Sequence, residues 1–416
     1  MSFQKVKVLV LTSSFPRFKN DWWQQAILSI YSNMDKSKYQ VTVIAPSSPG
    51  AKSSENINGI FVKRFFYFYP PKFQLLTSGE GVLYTSKKNK FLGKIQIVTF
   101  VLAETFLTIV TLAKNDFDVI HANWIIPQGL IAVMLKFIFR KPVIVTIHGT
   151  DIFALNKINF LKALILRCCD VCTTNSSATY EAAYKIYPSE KIKIVPMGVD
   201  VNLYDPKKKD VGWKKQFGKD AKIILGVGRL IKWKGFEYLV KAFPYVLDKF
   251  PEAKLVIIGK GPEEENLKKL ALKLNLKIGK NFFSPDHFTA DKLPGIYAAS
   301  DVVVSPSITN FQTGEKEGQG NVVLEARASG TPVIASRSGG LVDTIDGETN
   351  GLLFEEKNYK ELAKKIIYVF SDEKVRESLA KNGLNHVRKN FPWRKTSQKF
   401  EELYESLINK SFKSLY

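Results

Sequence analysis

Cysteine and histidine are scarce in this 416-residue chain, with three of the first and four of the second. Cys168, Cys169 and Cys172 offer no disulfide framework at this length and fit a reducing compartment. The nearest histidine in sequence, His148, does not give a zinc-site spacing with them, so all three read as buried small apolar residues. Low-complexity stretches are missing. With 45% apolar and 24% charged residues, the disordered and fibrous classes are excluded. The opening MSFQKVKVLVLTSSFPR runs into a strand-like segment without a signal-peptide cleavage pattern. The best transmembrane candidate, Ile95–Ala113, contains Gln96, Glu104 and several Thr residues. A central Glu is costly in lipid, so a core helix covering a sheet is expected there.

Positive charge, by contrast, is abundant: the net charge is +22. Residues 1–200 carry 24 Lys+Arg against 12 Asp+Glu and the remainder 37 against 27, so no tail accounts for the excess. Nucleic acid, an anionic membrane surface and phosphorylated small molecules are all compatible with it. The charge is not gathered into one helix or tail and nucleic-acid-binding motifs are missing, so no nucleic-acid partner is expected.

Strand-like runs alternate with helix-like segments along almost the whole chain, the pattern of βαβ units and parallel sheets. In the first half the strands read Val6–Thr12, Gln40–Ala45, Asp118–Ala122, Pro142–His148, Val171–Asn175 and Ile192–Pro196. The pattern loosens over Leu203–Asp220 and restarts at Lys222–Val227, with further strands at Lys254–Gly259, Asp301–Ser305 and Pro332–Ala335. A chain this long exceeds what one core usually organises. The expectation is α/β: two Rossmann-like domains facing each other across a ligand cleft at the carboxyl ends of their strands. Residues 1–200 form the first, 201–392 the second, and a terminal helix, 393–416, crosses back to the first.

Two elements in the second half carry chemistry. Gly226-Val-Gly-Arg-Leu-Ile-Lys-Trp-Lys-Gly235 leaves a buried strand and enters a helix, although the GxxxxGK(S/T) and GxGxxG patterns are both missing. Arg229 and Lys234, five apart across that loop, can converge on one anion such as a diphosphate, Arg as a planar fork and Lys as a point charge. A solvated surface loop would carry the same letters. Glu317-Gly-Gln-Gly-Asn-Val-Val-Leu-Glu325 is a glycine-containing loop feeding a short helix, with Asn321 as its expected N-cap. Such a helix start presents free N–H groups to an anion or to sugar hydroxyls. Glu325, in an otherwise apolar helix, needs a hydrogen-bonding partner, which a ribose diol would supply; a capped helix with an exposed acid face is the plainer alternative.

GRLIKWKG followed by this E-x7-E element and ending EARASGTPVIAS resembles the retaining glycosyltransferases of family 4, whose two-Rossmann arrangement is called GT-B. The resemblance covers nearly the whole chain and is most specific in its second half. It implies that Arg229 and Lys234 hold the donor's diphosphate, that Glu317 contacts the donor sugar, Glu325 the ribose, and the backbone of Gly318, Gln319, Gly320, Asn321 and Val322 the sugar hydroxyls. Phe283–Asp286, with Ser284 and Asp286, would lie near the base. His148-Gly-Thr-Asp151 closes a strand and would face the donor sugar, His148 acting as acid/base or as a hydrogen-bond donor. Asp151, Asn123 and Trp124 would line the acceptor side, with Asp21 and Trp22 of the first loop. That loop has Asn20-Asp21-Trp22-Trp23 where the family often has Gly.

The resemblance implies same-face attack with the diphosphate helping to deprotonate the acceptor. Glu317 and Glu325, from one short element, do not read as a pair flanking a glycosidic bond. Arg229 and Lys234 supply the neutralising charge, so no metal or other cofactor is expected, only a UDP-, GDP- or ADP-sugar as donor substrate. Asp116-Phe-Asp118 stands at the amino end of a strand and reads as strand entry. The acceptor implied is a glycan or lipid-linked glycan in cell-envelope synthesis, and the setting cytoplasmic, peripheral on the membrane's inner face. The aromatic and basic stretch Phe61–Tyr69 with Tyr84–Leu92 is the expected docking surface, or else a strand and a basic loop. A nucleotide-sugar-binding protein without transfer and a nucleotide-sugar epimerase remain as alternatives.

Overall fold

A computed structural model describes residues 5–19, 21, 25–77, 90–285 and 289–413. The chain divides into two compact units. The first comprises Met1–Asn175, Tyr180–Val195 and Thr396–Tyr416; the second comprises Ser176–Thr179 and Pro196–Lys395. The helix Trp393–Lys413 therefore starts in the second unit and belongs to the first from Thr396 onward.

The first unit holds an eight-stranded sheet in the order β3-β4-β2-β1-β5-β6-β7-β8. Its strands are β1 (Val6–Leu11), β2 (Tyr39–Pro46), β3 (Ser54–Ile57), β4 (Ile60–Phe65), β5 (Val119–Asn123), β6 (Val143–Ile147), β7 (Val171–Thr174) and β8 (Ile192–Ile194). All pairs are parallel except β3–β4, an antiparallel hairpin at the edge. β5 and β6 are buried at every position, as expected of strands covered on both faces. Asp118 marks the entry to β5, its carboxylate accepting from the Lys7 amide at 2.7 Å, while Asp116 pairs with Lys141.

The crossovers β4→β5, β5→β6 and β6→β7 all step the same way along the sheet. Right-handed connections therefore place their helices, Lys90–Lys114, Leu130–Phe139 and Asn159–Cys168, on one face. The β1→β2 step runs the other way, which puts Gln25–Ser32 on the opposite face. The terminal helix packs there too, since Ser397 Oγ donates to the Ile30 carbonyl at 2.6 Å. Lys90–Lys114 covers the sheet as expected, and its Phe91–Lys114 portion is also long and apolar enough to cross a membrane. Cys169 and Cys172 are buried and all three cysteines are free.

The second unit has six parallel strands in the order β11-β10-β9-β12-β13-β14, the doubly wound 3-2-1-4-5-6 arrangement. They are β9 (Lys222–Val227), β10 (Ala253–Ile258), β11 (Phe282–Phe283), β12 (Val302–Ser305), β13 (Val333–Ser336) and β14 (Leu352–Phe354). Alternate residues feed two cores, because successive side chains of a strand point to opposite faces. Ile224, Leu255 and Val304 pack with the helices Phe236–Leu247 and Tyr359–Ser371. Ile223, Leu225 and Val303 pack with Leu293–Ala299 and Asn321–Ala328. The loosely patterned Leu203–Asp220 carries the turn Pro206–Lys208 and the helix Val211–Lys215, each capped by an aspartate side chain. Its Asp205 is paired with Arg388 at 2.6 Å.

Candidate active site

In the second unit, the loop after β9 is held by buried anchors. Leu230 and Trp233 turn inward, the Gly228 amide donates to Ile258 and the Leu230 amide to Lys260. Arg229 is thereby left exposed and Lys234 half-buried. Gly235 sits at φ +67°, and a Cβ there would lie 1.9 Å from the Pro306 carbonyl oxygen, so the loop can close on residues 306–308 only with glycine. The Ile308 amide donates to the Trp233 carbonyl at 2.7 Å across that contact.

This closure brings the two sequence elements together. Lys234 Nζ lies 2.6 Å from Glu317 Oε2, and Ser307 Oγ donates to the same oxygen at 2.9 Å. Glu317 is buried, as is most of the Lys234 side chain. Ser307 had no sequence signal beyond its place two residues past β12. The Glu317 carbonyl accepts from the Gly340 amide, tying the loop to the turn after β13.

The helix Asn321–Ala328 starts differently from expectation. Its N-cap is Gly320 at φ +87°, with no side-chain cap, and Asn321 is the exposed first helical residue. The chain enters the helix through a left-handed residue, which glycine adopts freely, and that residue, Gly320, takes the cap position one before Asn321. Gln319 is buried and its amide clamps one residue, accepting from the Met197 amide at 2.7 Å and donating to its carbonyl at 2.9 Å. Its side chain therefore holds the backbone that leads into the second sheet. Gly318 and Val322 flank this clamp and the helix start.

Glu325 finds partners that sequence did not reveal. Tyr297 Oη donates to its Oε2 at 3.0 Å and Tyr204 supplies a second hydroxyl. Burial raises its carboxyl to about 7, against the pull of both tyrosines and of Lys234. Ser284 is half-buried just past β11, whereas Asp286 lies outside the described residues.

In the first unit, His148 follows β6 and Gly149 turns the chain at φ +121°. A buried chain of polar groups runs inward from His148. Its Nε2 is 3.0 Å from Asn123 Oδ1, Asn123 Nδ2 donates to Tyr31 Oη at 2.9 Å, and Tyr31 Oη lies 2.9 Å from His121 Nδ1. His121 also meets Tyr404 Oη at 2.6 Å and Thr146 Oγ1 at 2.7 Å. Burial lowers His148 to about 4 and His121 to about 3, so both rings are neutral near pH 7. With Nε2–H assigned to the Asn123 carbonyl oxygen, His148 Nδ1 carries the lone pair.

Asp151 is buried and accepts from the amides of Ile125, His148 and Gly149 at 3.0, 3.1 and 2.9 Å. Burial still raises its carboxyl above the usual range. Its carboxylate thus fixes the loop after β6 against the segment after β5. Trp124, at φ +76°, packs its ring 4.8 Å from that of His148. Asp21 receives both a backbone N–H and the guanidinium of Arg17, which shapes the first loop; Trp22 lies outside the described residues. No three His, Cys, Asp or Glu side chains converge on a metal-sized point among the described residues.

Residues 24–203 match the family model for glycosyltransferase family 4 and residues 207–386 that for glycosyl transferases group 1. An uncharacterised glycosyltransferase of Methanocaldococcus jannaschii is 31% identical over 315 residues, covering 71% of this chain and 76% of that one. A D-inositol 3-phosphate glycosyltransferase of Corynebacterium jeikeium is 27% identical over 316 residues, covering 70% and 73%. Among solved structures, sucrose-phosphate synthase from Thermosynechococcus elongatus superimposes with a TM-score of 0.76 at 21% identity, covering 98% of this chain and 100% of that one. Anabaena HepE in complex with UDP and glucose gives 0.71 at 20% identity, covering 96% and 100%. The fold is accordingly GT-B, and the chain belongs to the glycosyltransferases built from a family 4 N-terminal half and a group 1 C-terminal half, enzymes of sugar transfer.

Proposed function

We propose that this enzyme transfers a sugar from a nucleoside-diphosphate donor to a hydroxyl, with retention at the anomeric carbon. The observation that carries the reading is the 2.6 Å contact between Lys234 and Glu317, which joins the cationic loop after β9 to the loop that opens the helix Asn321–Ala328. Arg229 and Lys234 hold the diphosphate, the amides around Gly318–Val322 meet the sugar hydroxyls, and Glu325 takes the ribose diol. Glu317 contacts the donor sugar once Lys234 turns to the phosphate. The bond from the anomeric carbon to the diphosphate breaks as the acceptor oxygen attacks from the same face. The acceptor proton passes to a leaving phosphate oxygen, and the two cations stabilise the charge that develops there.

Neutral His148, its Nε2–H engaged by Asn123, acts by positioning and by hydrogen bonding. The residues beside it, Asn123, Trp124 and Asp151, organise the acceptor side together with Asp21. HepE bound to UDP and glucose supports a UDP-linked donor. The acceptor proposed is a glycan or lipid-linked glycan of the cell envelope, met on the inner face of the membrane.

The test is transfer and donor hydrolysis across UDP-, GDP- and ADP-sugars, with Glu317→Ala and Lys234→Ala as controls. Turnover of one donor class, lost in both variants, is expected. Turnover that survives in both variants removes these residues from the site, and inversion at the anomeric carbon removes the same-face mechanism.

A further inference from the structure

The helix Lys90–Lys114 is amphipathic in the reverse sense. The stripe facing the sheet carries Gln96, Phe100, Glu104, Thr108 and Thr111, all buried. The opposite stripe, Phe91, Ile95, Val98, Leu102, Phe106 and Ile109, recurs at the spacing of one helical face and is exposed, Phe106 to 70%. Gln96, Glu104 and Thr108 of the polar stripe find partners within the unit. Gln96 donates to the Phe73 carbonyl at 2.6 Å and accepts from the Leu75 amide, and Glu104 receives Gln128. Pulling this helix out to span a bilayer would break these contacts and bury Glu104 in lipid, so it can meet a membrane only sideways.

Its neighbours on the same sheet face continue the surface. Leu130–Phe139 exposes Met134, Phe137 and Ile138, and Asn159–Cys168 exposes Phe160 and Leu164. Soluble monomers rarely leave so contiguous an apolar layer uncovered. The charges of the three helices decide what covers it. Lys94, Lys114 and Arg167 are exposed, Lys136 is paired with Asp170, Lys162 is buried against the Ile152 and Ala154 carbonyls, and the single carboxylate of these helices, Glu104, is turned inward. Two copies packed face to face would set these cations against one another, whereas an anionic lipid surface complements them.

We propose that the outward face of the helices Lys90–Lys114, Leu130–Phe139 and Asn159–Cys168 docks flat on an anionic bilayer, apolar side chains entering the interface and the exposed Lys94, Lys114 and Arg167 meeting headgroup phosphates. None of the donor-site residues takes part, so this docking stands or falls apart from the proposed transfer. Of the sequence expectation, the Phe61–Tyr69 stretch lies outside this surface and Tyr84–Leu92 overlaps it from Lys90 onward, residues 84–89 lying outside the described residues; exposed Phe73 and Lys72 adjoin its edge beside Gln96.

The test is co-sedimentation of the full chain with phosphatidylcholine vesicles, with and without phosphatidylglycerol, and sedimentation velocity without lipid. Wild type is expected to partition onto the phosphatidylglycerol vesicles, and Leu102→Ser/Phe106→Ser to lose that partition by about tenfold or more. Lys94→Gln/Arg167→Gln is expected to lose the preference for phosphatidylglycerol over phosphatidylcholine. Unchanged circular dichroism and melting temperature verify that each variant is folded; if the Leu102/Phe106 variant unfolds, the charge variant alone decides. Failure of wild type to bind either vesicle overturns the proposal, as does equal binding by folded variants. Self-association that Leu102→Ser/Phe106→Ser abolishes, without vesicle binding, assigns the face to a second copy and overturns it too.

Discussion

Replacing Glu317 by Gln should tighten nucleoside-diphosphate binding while it stops transfer. Lys234 Nζ and Glu317 Oε2 are 2.6 Å apart with side-chain exposures of only 16% and 10%. At an effective dielectric near 20, that separation corresponds to about 6 kcal/mol of gross attraction, most of it offset by desolvation of the two ions. A coupling of roughly 1–3 kcal/mol is what a double-mutant cycle on such a pair should return. A diphosphate must draw Lys234 away against that coupling. Neutralising Glu317 removes the competitor, and a gain of about 1.4 kcal/mol lowers Kd about tenfold. Lys234→Ala removes the cation and should raise Kd by a comparable factor or more. Titration calorimetry with UDP, GDP and ADP at fixed ionic strength, with urea unfolding of both single variants and the double variant, measures the two effects together. If Glu317→Gln weakens the diphosphate as much as Lys234→Ala does, Glu317 supports the phosphate site and does not compete for its cation, and the reasoning fails.

Three further outcomes are expected. His121, lowered to about 3 by burial, is neutral in the folded chain while the unfolded chain protonates near pH 6.5. Its contribution is present above that pH and is lost as pH falls towards 3, about 2 kcal/mol by pH 5; His121→Gln should flatten this limb in urea titrations between pH 7 and 5. Glu104, raised to about 8 by burial, has the opposite sign: its contribution is present below the unfolded value near 4.5 and falls away as pH rises through 8. Glu104→Gln should therefore stabilise the protein at pH 7–8 by roughly 3–4 kcal/mol, measured by denaturation, and an unchanged stability there would sink the assignment. Gly235→Ala combines φ +67° with a 1.9 Å approach to the Pro306 carbonyl oxygen. A loss of more than about 2 kcal/mol of stability is expected, together with weaker diphosphate binding as the Lys234–Glu317 contact opens.

Much of the architecture was legible because parallel strands covered on both faces are continuous apolar runs, as in Pro142–His148 and Asp301–Ser305. The strands that escaped notice are short or at an edge. β3, reading Ser54–Ile57, has one buried residue, and β14 has only three residues in all. Both exist by pairing with a longer neighbour, so nothing local announces them. The N-cap of Asn321–Ala328 was misplaced by one residue because the chain's left-handed entry at Gly320 follows from its packing beside Leu341, distant in sequence.

What the sequence by itself determined is the alternation of strands and helices, and the residue types of the loop after β9 and of the segment 317–325. Arg229 and Lys234 stand in one short segment and Glu317 and Glu325 in another, so their spacing is local and readable. What tertiary structure alone decided is who meets whom. Ser307 joins Glu317, Tyr204 and Tyr297 answer Glu325, and Gln319 is spent on Met197. The same holds for Lys90–Lys114, whose periodicity shows two faces but not which one a sheet will cover. That choice came from partners far along the chain, Phe73, Leu75 and Gln128, which engage Gln96 and Glu104 and leave the apolar stripe outside.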